Sequence, residues 1–154
     1  MKLYRFETTQ RLALDPEEAW AFFSDPGNLA AITPPWLNFV IVGGQPKAIY
    51  AGLIIRYRIR PFGGVPVDWV TEITHVRQPG FFVDEQRFGP YRFWHHQHHL
   101  VPCPGGTEVT DAVHYALPPV PGTSILRPLL VAPRLQEIFA YRRKVLAERF
   151  RELD

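Results

Sequence analysis

Residues 91–117 read Tyr91-Arg92-Phe93-Trp94-His95-His96-Gln97-His98-His99-Leu100-Val101-Pro102-Cys103-Pro104-Gly105-Gly106-Thr107-Glu108-Val109-Thr110-Asp111-Ala112-Val113-His114-Tyr115-Ala116-Leu117. Two runs of strand character, 91–101 and 107–117, flank a proline- and glycine-rich separator, which is the signature of a β-hairpin. Side chains of a strand point alternately to its two faces. In the second run the odd set (Val109, Asp111, Val113, Tyr115, Leu117) is the more apolar and is expected to face inward. In the first run the even set is Arg92, Trp94, His96, His98 and Leu100, against Tyr91, Phe93, His95, Gln97, His99 and Val101. Periodicity barely separates these two sets; Trp94 and Leu100 favour the even one as the inner face. Two registers fit the turn, one placing Asp111 opposite His96 and the other opposite His98.

The same punctuation extends upstream. Segments 37–42, 53–60, 66–77 and 81–88 have strand character and are separated by Gly43-Gly44-Gln45-Pro46, Pro61-Phe62-Gly63-Gly64, Gln78-Pro79-Gly80 and Gly89-Pro90. Such short separators predict an antiparallel meander. Residues 2–13 read as a preceding strand. Asp15-Pro16-Glu17-Glu18 predicts a helix start, with Asp15 as cap, Pro16 at the first helical position and Glu18 completing a capping box. Asp25-Pro26 predicts a second short helix over about 26–31, ending before Thr33-Pro34-Pro35-Trp36. Beyond Pro118-Pro119-Val120-Pro121-Gly122, Thr123 or Ser124 can cap a stretch that Pro128 and Pro133 make short or kinked. From Pro133 on, Leu135, Ile138, Phe139, Val145, Leu146, Phe150 and Leu153 recur at helical spacing, which predicts a long amphipathic helix. The fold class is α+β: a seven-stranded curved antiparallel sheet, two short helices after the first strand, and a long C-terminal helix across the concave face. Such a sheet and helix enclose volume, and unfilled volume is a ligand cavity.

The composition agrees. The 154 residues suit a single domain over 1–154, and 46% hydrophobic with 21% charged residues suits a globular chain. Sixteen prolines and 11 glycines argue against a helical bundle, while 14% aromatic residues suit an aromatic-rich sheet. The 17 basic and 15 acidic residues nearly balance, at net +2, so no nucleic-acid partner is expected. Cys103, the single cysteine, excludes an intramolecular disulfide framework and a cysteine-based zinc finger, and suits a reducing compartment. Met1–Glu7 carries no apolar signal core and no run is long enough to span a membrane, so a cytoplasmic location is expected. No oligomeric state follows from the composition.

The ordered set Asn28-Leu29, Ile32-Thr33-Pro34-Pro35, Trp69 with Ile73, Phe82-Val83-Asp84-Glu85-Gln86, Gly89-Pro90-Tyr91, Trp94 with His96 and His98, Gly105-Gly106-Thr107, Asp111, Tyr115-Ala116-Leu117-Pro118 and Phe139-Ala140-Tyr141-Arg142 resembles the START and birch-pollen-allergen superfamily, SRPBCC. Within it the chain resembles a bacterial stand-alone ligand-binding branch described loosely as polyketide-cyclase-like or cell-division-inhibitor-like. The resemblance implies the helix-grip fold and a cavity for a small hydrophobic or aromatic molecule. It agrees with an inward even set on the histidine strand. The chain departs from the family pattern at Leu117–Ser124, where three prolines and one glycine replace a proline followed by two spaced glycines.

The candidate ligand-binding residues are Trp69, Phe82, Asp84, Gln86, Trp94, His96, His98, Asp111, Tyr115 and Phe139. Phe82 facing inward carries Asp84 and Gln86 with it, and a buried carboxylate then needs a donor. A carboxylate beside an imidazole fixes its tautomer and favours its charged form. Three readings stay open for the inner histidines: satisfied polar groups of a roomy core, a His–Asp pair that orients a ligand, or a metal site. Two histidines and a carboxylate could hold zinc, but no third nitrogen or sulfur ligand is evident, so no metal and no cofactor are assigned. His95 and His99 are expected to face solvent. Arg142, on the apolar stripe of the last helix, is expected to pair with a carboxylate or reach the surface. Arg56, Arg58 and Arg60 share one strand face and are expected to be solvated. Three functions are compatible with these residues: ligand binding; a cyclase, aromatase or dehydratase using His98 and Asp111 as catalytic acid–base pair; and a regulatory protein-interaction module.

Overall fold

The computed structural model describes residues 2–62, 64–119, 121–122 and 127–154. Their strands are β1 (Tyr4–Leu12), β2 (Val40–Val42), β3 (Leu53–Phe62), β4 (Val65–Arg77), β5 (Phe81–Phe88), β6 (Phe93–Cys103) and β7 (Gly106–Ala116). They form one antiparallel sheet in the order β1-β7-β6-β5-β4-β3-β2. The meander thus runs from β2 to β7, and β1 closes beside β7. Helix α1 (Pro16–Phe23) follows β1, and helix α2 (Ala132–Phe150) packs on the sheet after a π-helical turn over Arg127–Val131. The Asp15 carboxylate accepts from the Glu17 and Glu18 amides at 2.9 and 3.0 Å, as an N-cap should.

Several boundaries differ from expectation for physical reasons. The segment 26–31 is two 3₁₀ turns, Pro26–Asn28 and Ala30–Ile32, rather than one helix. Between Pro26 and Pro34 there is room only for i→i+3 bonds, and Thr33 Oγ1 donates back to the Leu29 carbonyl at 2.6 Å. A third 3₁₀ turn, Pro35–Leu37, lies where extended backbone was expected, so β2 begins only at Val40. The hairpin β6–β7 is tighter than its five-residue separator implied: the strands pair to Cys103↔Gly106, leaving Pro104 and Gly105 (φ +82°) as the turn. A Cβ on Gly106 would stand 1.9 Å from the Leu12 carbonyl oxygen, so only glycine lets β1 approach there. The Thr123 or Ser124 cap lies outside the described residues, as do positions 120, 123 and 124 of the family departure at 117–124.

The register is Trp94↔Tyr115, His96↔Val113 and His98↔Asp111, the second of the two that fit the turn. Register shifts between Ile59 and Phe62 on β3, and on β4 between Val70 and Thr71 and between Ile73 and His75, bend the sheet around α2. At one end the space between sheet and helix is filled by Leu12, Leu14, Trp20, Phe22, Phe82, Leu100, Val109 and Leu146. That end is also tied by hydrogen bonds: Ala13 N–H to the Arg151 carbonyl (2.9 Å), Leu153 N–H to that of Arg11 (2.9 Å), and Gln10 Nε2 to Arg143 O (2.9 Å) and Glu152 Oε2 (3.1 Å). Towards the other end, Leu53, Ile55, Tyr57 and Ile73 line the β3–β4 wall, and Leu135 and Phe139 of α2 pack with Trp94, Val113 and Tyr115. Among the described residues no helix is long and apolar enough to cross a membrane.

Candidate functional site

Between the concave face and α2 lies a cavity of about 240 Å³. Its wall is aromatic and aliphatic: Ile55 and Tyr57 of β3, Trp69 and Ile73 of β4, Phe82 of β5, Trp94 of β6, and Leu135 and Phe139 of α2. Trp69 meets Trp94 edge-on at 5.2 Å, and Tyr91 closes the same corner at 5.6 Å from Trp69. Among its polar lining residues Asp84, His96, His98 and Arg142 stand together, and their patch is called the floor.

These four form one cluster with Asp111 behind them. Strand alternation brings His96 and His98 to the same side of β6, with their rings 3.8 Å apart. Each carboxylate reaches its histidines across the strand and diagonally. Asp84, directly opposite His96, hydrogen-bonds His98 Nε2 at 2.6 Å, and its same oxygen lies 3.4 Å from His96 Nδ1. Asp111, directly opposite His98, hydrogen-bonds His96 Nε2 at 2.7 Å and lies 3.2 Å from His98 Nδ1. Arg142 Nη1 donates to that same Asp111 oxygen at 3.0 Å. The His98 ring stacks on Phe82 at 4.0 Å, and the Arg142 guanidinium lies over Phe139 at 5.0 Å.

The electrostatics follow from these contacts. Burial works to raise Asp111, but the Arg142 charge and hydrogen bonds from both histidines outweigh it and hold the carboxyl well below the usual range. Asp84 is likewise lowered, because the His96 charge and the His98 hydrogen bond and charge outweigh burial. Burial, reinforced by the neighbouring His98, lowers His96 despite the attraction of both carboxylates. Burial also opposes a charge on His98, yet hydrogen bonds to Asp111 and Asp84 overcome it and raise its value. His98 has a carboxylate at 2.6 and 3.2 Å on its two nitrogens, whereas His96 Nδ1 stands off at 3.4 Å, so of the two rings His98 is the one whose charged form is favoured.

Seven of the ten sequence candidates line the cavity: Trp69, Phe82, Asp84, Trp94, His96, His98 and Phe139. Gln86, Asp111 and Tyr115 do not. Gln86 clamps the β5–β6 turn, donating to the Tyr91 carbonyl at 2.6 Å and accepting from its amide at 3.2 Å. Asp111 lies one layer deeper than the histidines, and Tyr115 packs behind Trp94 and Tyr91. His95 and His99, expected to be solvated, are half-buried on the outer face, where His95 Nδ1 lies 2.7 Å from Glu85 and Gln97 bridges the two rings. Arg56, Arg58 and Arg60 are exposed, with Arg58 paired to Asp68 at 3.0 Å.

Tyr57 and Arg142 are lining residues that the candidate set omitted. Tyr57 was accessible to pattern reasoning, because it alternates with the outward arginines of β3. Its phenol is pushed up by burial and then by the Asp84 charge, so it remains a donor. Arg142 buries its Nε–H without a hydrogen-bond partner among the described residues.

Comparison with solved structures places this geometry in a known architecture. The Zhui aromatase/cyclase from Streptomyces sp. R1128 superposes with a TM-score of 0.73 over 96% of this chain and 93% of that chain, at 13% identity. TTHA0849 from Thermus thermophilus gives 0.65 over 96% of both chains at 20% identity. Ara h 8.0201, a Bet v1-like protein, gives 0.60 over 96% of this chain and 99% of that chain at 14% identity. These likenesses show the fold, the helix-grip fold in which a curved seven-stranded antiparallel sheet grips a long C-terminal helix. No curated protein matches the sequence. Residues 10–150 match the profile of a family described as a domain of unknown function (DUF8410), and the chain belongs to that family.

Proposed function

We propose that the protein binds a small hydrophobic or aromatic molecule between sheet and helix, with an oxygen-bearing end turned to the polar floor. The observation that carries this reading is the cavity itself, predominantly apolar on its walls and carrying the buried polar cluster of Asp84, His96, His98 and Arg142. Burying apolar ligand surface contributes roughly 25 cal/mol per Å² before association costs are met. The Arg142 Nε–H, which has no hydrogen-bond partner among the described residues, and the Tyr57 phenol are donors suited to a ligand carbonyl or carboxylate. The test is titration with an amphiphilic aromatic fluorophore such as an anilinonaphthalene sulfonate. One saturable site is expected, with affinity at least tenfold lower in Ile138→Trp, whose indole would fill the cavity. Absence of saturable binding, or equal affinity in a folded Ile138→Trp, overturns the proposal.

A second reading is acid–base catalysis of the cyclase, aromatase or dehydratase type. It is favoured by one specific arrangement: an imidazole held between two carboxylates at the cavity floor, in a fold shared with an aromatase/cyclase. His98 would exchange the proton and Asp111 would orient the ring. Full turnover of a genuine substrate by both His98→Ala and Asp111→Asn would remove this mechanism.

A further inference from the structure

The five-residue cluster is layered. The inner nitrogens, His96 Nε2 and His98 Nδ1, lie 2.7 and 3.2 Å from one oxygen of Asp111. The cavity-side nitrogens, His96 Nδ1 and His98 Nε2, lie 3.4 and 2.6 Å from one oxygen of Asp84. Asp111 is buried and braced by Arg142, whereas the Asp84 side chain keeps 18% exposure and lines the cavity. Both imidazoles thus present one nitrogen each to the same side as Asp84, while a second carboxylate fixes their far nitrogens. Metal-binding histidines are held in this way, with the non-coordinating N–H donated to a carboxylate that sets tautomer and ring angle.

We propose that Asp84, His96 and His98 form a site for one divalent first-row transition ion of the Zn(II) or Fe(II) type, with Asp111 as the carboxylate that orients both imidazoles. The three ligand atoms lie within 4.8 Å of one another. Ligands roughly 2.0–2.2 Å from a tetrahedral zinc stand about 3.3–3.6 Å apart. The His96–Asp84 separation of 3.4 Å already meets this, and the His98–Asp84 contact of 2.6 Å opens by about 1 Å when a metal replaces the shared proton. Imidazole donors select a transition ion over calcium or magnesium. Three protein ligands leave positions open towards the cavity, the pattern of a catalytic rather than a structural site. With neutral imidazoles, a dication, two carboxylates and the Arg142 guanidinium carry net +1. An open position therefore favours an anionic oxygen, either hydroxide or an enolate or carboxylate of a bound molecule. The proposal does not depend on the apolar ligand, since the metal is tested alone.

The experiment is titration of the chelator-treated full chain with Co(II), followed by visible absorption, and equilibrium dialysis against Zn(II) with elemental analysis. One ion per chain is expected. Asp84→Ala and His98→Ala should weaken binding at least a hundredfold, and Asp111→Asn by about 10–100-fold. The His95→Ala/His99→Ala double variant should bind within twofold of the parent. Failure of the parent to take up a stoichiometric ion, undiminished binding in Asp84→Ala, or loss of binding in the outer-face double variant each overturns the site. Should a variant not fold, Zn(II) must still shift the His96 and His98 imidazole resonances of the parent; unshifted resonances also overturn it.

Discussion

Strand β6 carries four histidines in five residues, and its two faces use them in opposite ways. On the inner face His96 and His98 are buried, share two carboxylates and are backed by a guanidinium. On the outer face His95 and His99 belong to a half-buried row with Glu85 and Gln97, open to water on one side. Identical side chains on one strand thus differ in what their surroundings demand. In water a missing partner is replaced by solvent. Inside the fold it leaves an uncompensated charge, at a cost of several kcal/mol.

The largest expected effect lies on the inner face. Asp111→Ala strands the Arg142 charge and takes one of two carboxylate partners from each imidazole, and should destabilise by about 3–5 kcal/mol in chemical denaturation. A loss below about 1 kcal/mol would mean that the inner face tolerates a missing partner as water does.

The pH dependence should come next. For the chelator-treated protein, the stability from His98 is complete below its ordinary value of 6.5 and is lost as pH rises through its raised value. The stability from His96 is present above 6.5 and is lost as pH falls through its lowered value. The melting temperature should therefore peak near 6.5. The contributions of Asp84 and Asp111 are present above 3.8 and are lost further into acid, through their lowered values. His96→Gln should remove the first acid limb and keep the alkaline one. A flat melting profile between about pH 5 and 8 would erase the contrast between the two imidazoles.

The smallest effect is expected outside: Glu85→Ala should cost about 0.2–1 kcal/mol, as a partly exposed pair does. A larger loss would show that the outer row is structural in its own right.

Much of this contrast was legible in the residues alone. Alternation along β7 was clear; on β6 periodicity barely separated the two faces, and Trp94 and Leu100, in agreement with the family resemblance, favoured turning His96 and His98 inward. The choice between two β6–β7 registers was not legible, because Pro104-Gly105 closes a tighter turn than the five-residue separator required. Nor were the diagonal bonds. They depend on side-chain reach across three strands, whereas sequence spacing speaks only to faces. Gln86 shows the limit of parity: its face was assigned by Phe82, but the irregular Gly89-Pro90 connection draws its amide to Tyr91. The succession of 3₁₀ turns over 26–37 was hidden because cap and proline signals mark where a turn begins, not which hydrogen-bond span it keeps.

The tie between β1 and the end of α2 has a consequence for synthesis. Gln10 meets Glu152 across 142 residues, and Leu146 completes a core begun by Leu12 and Trp20. Of the described elements α2 leaves the ribosome last, and Arg142 arrives with it. Until then the concave sheet is an uncovered apolar trough, and Asp111 lacks its guanidinium. Long-range closure of this kind is slow compared with hairpin formation. The nascent chain therefore passes through an interval in which the wall of its future cavity is its most adhesive surface, and the last helix ends that interval by capping it.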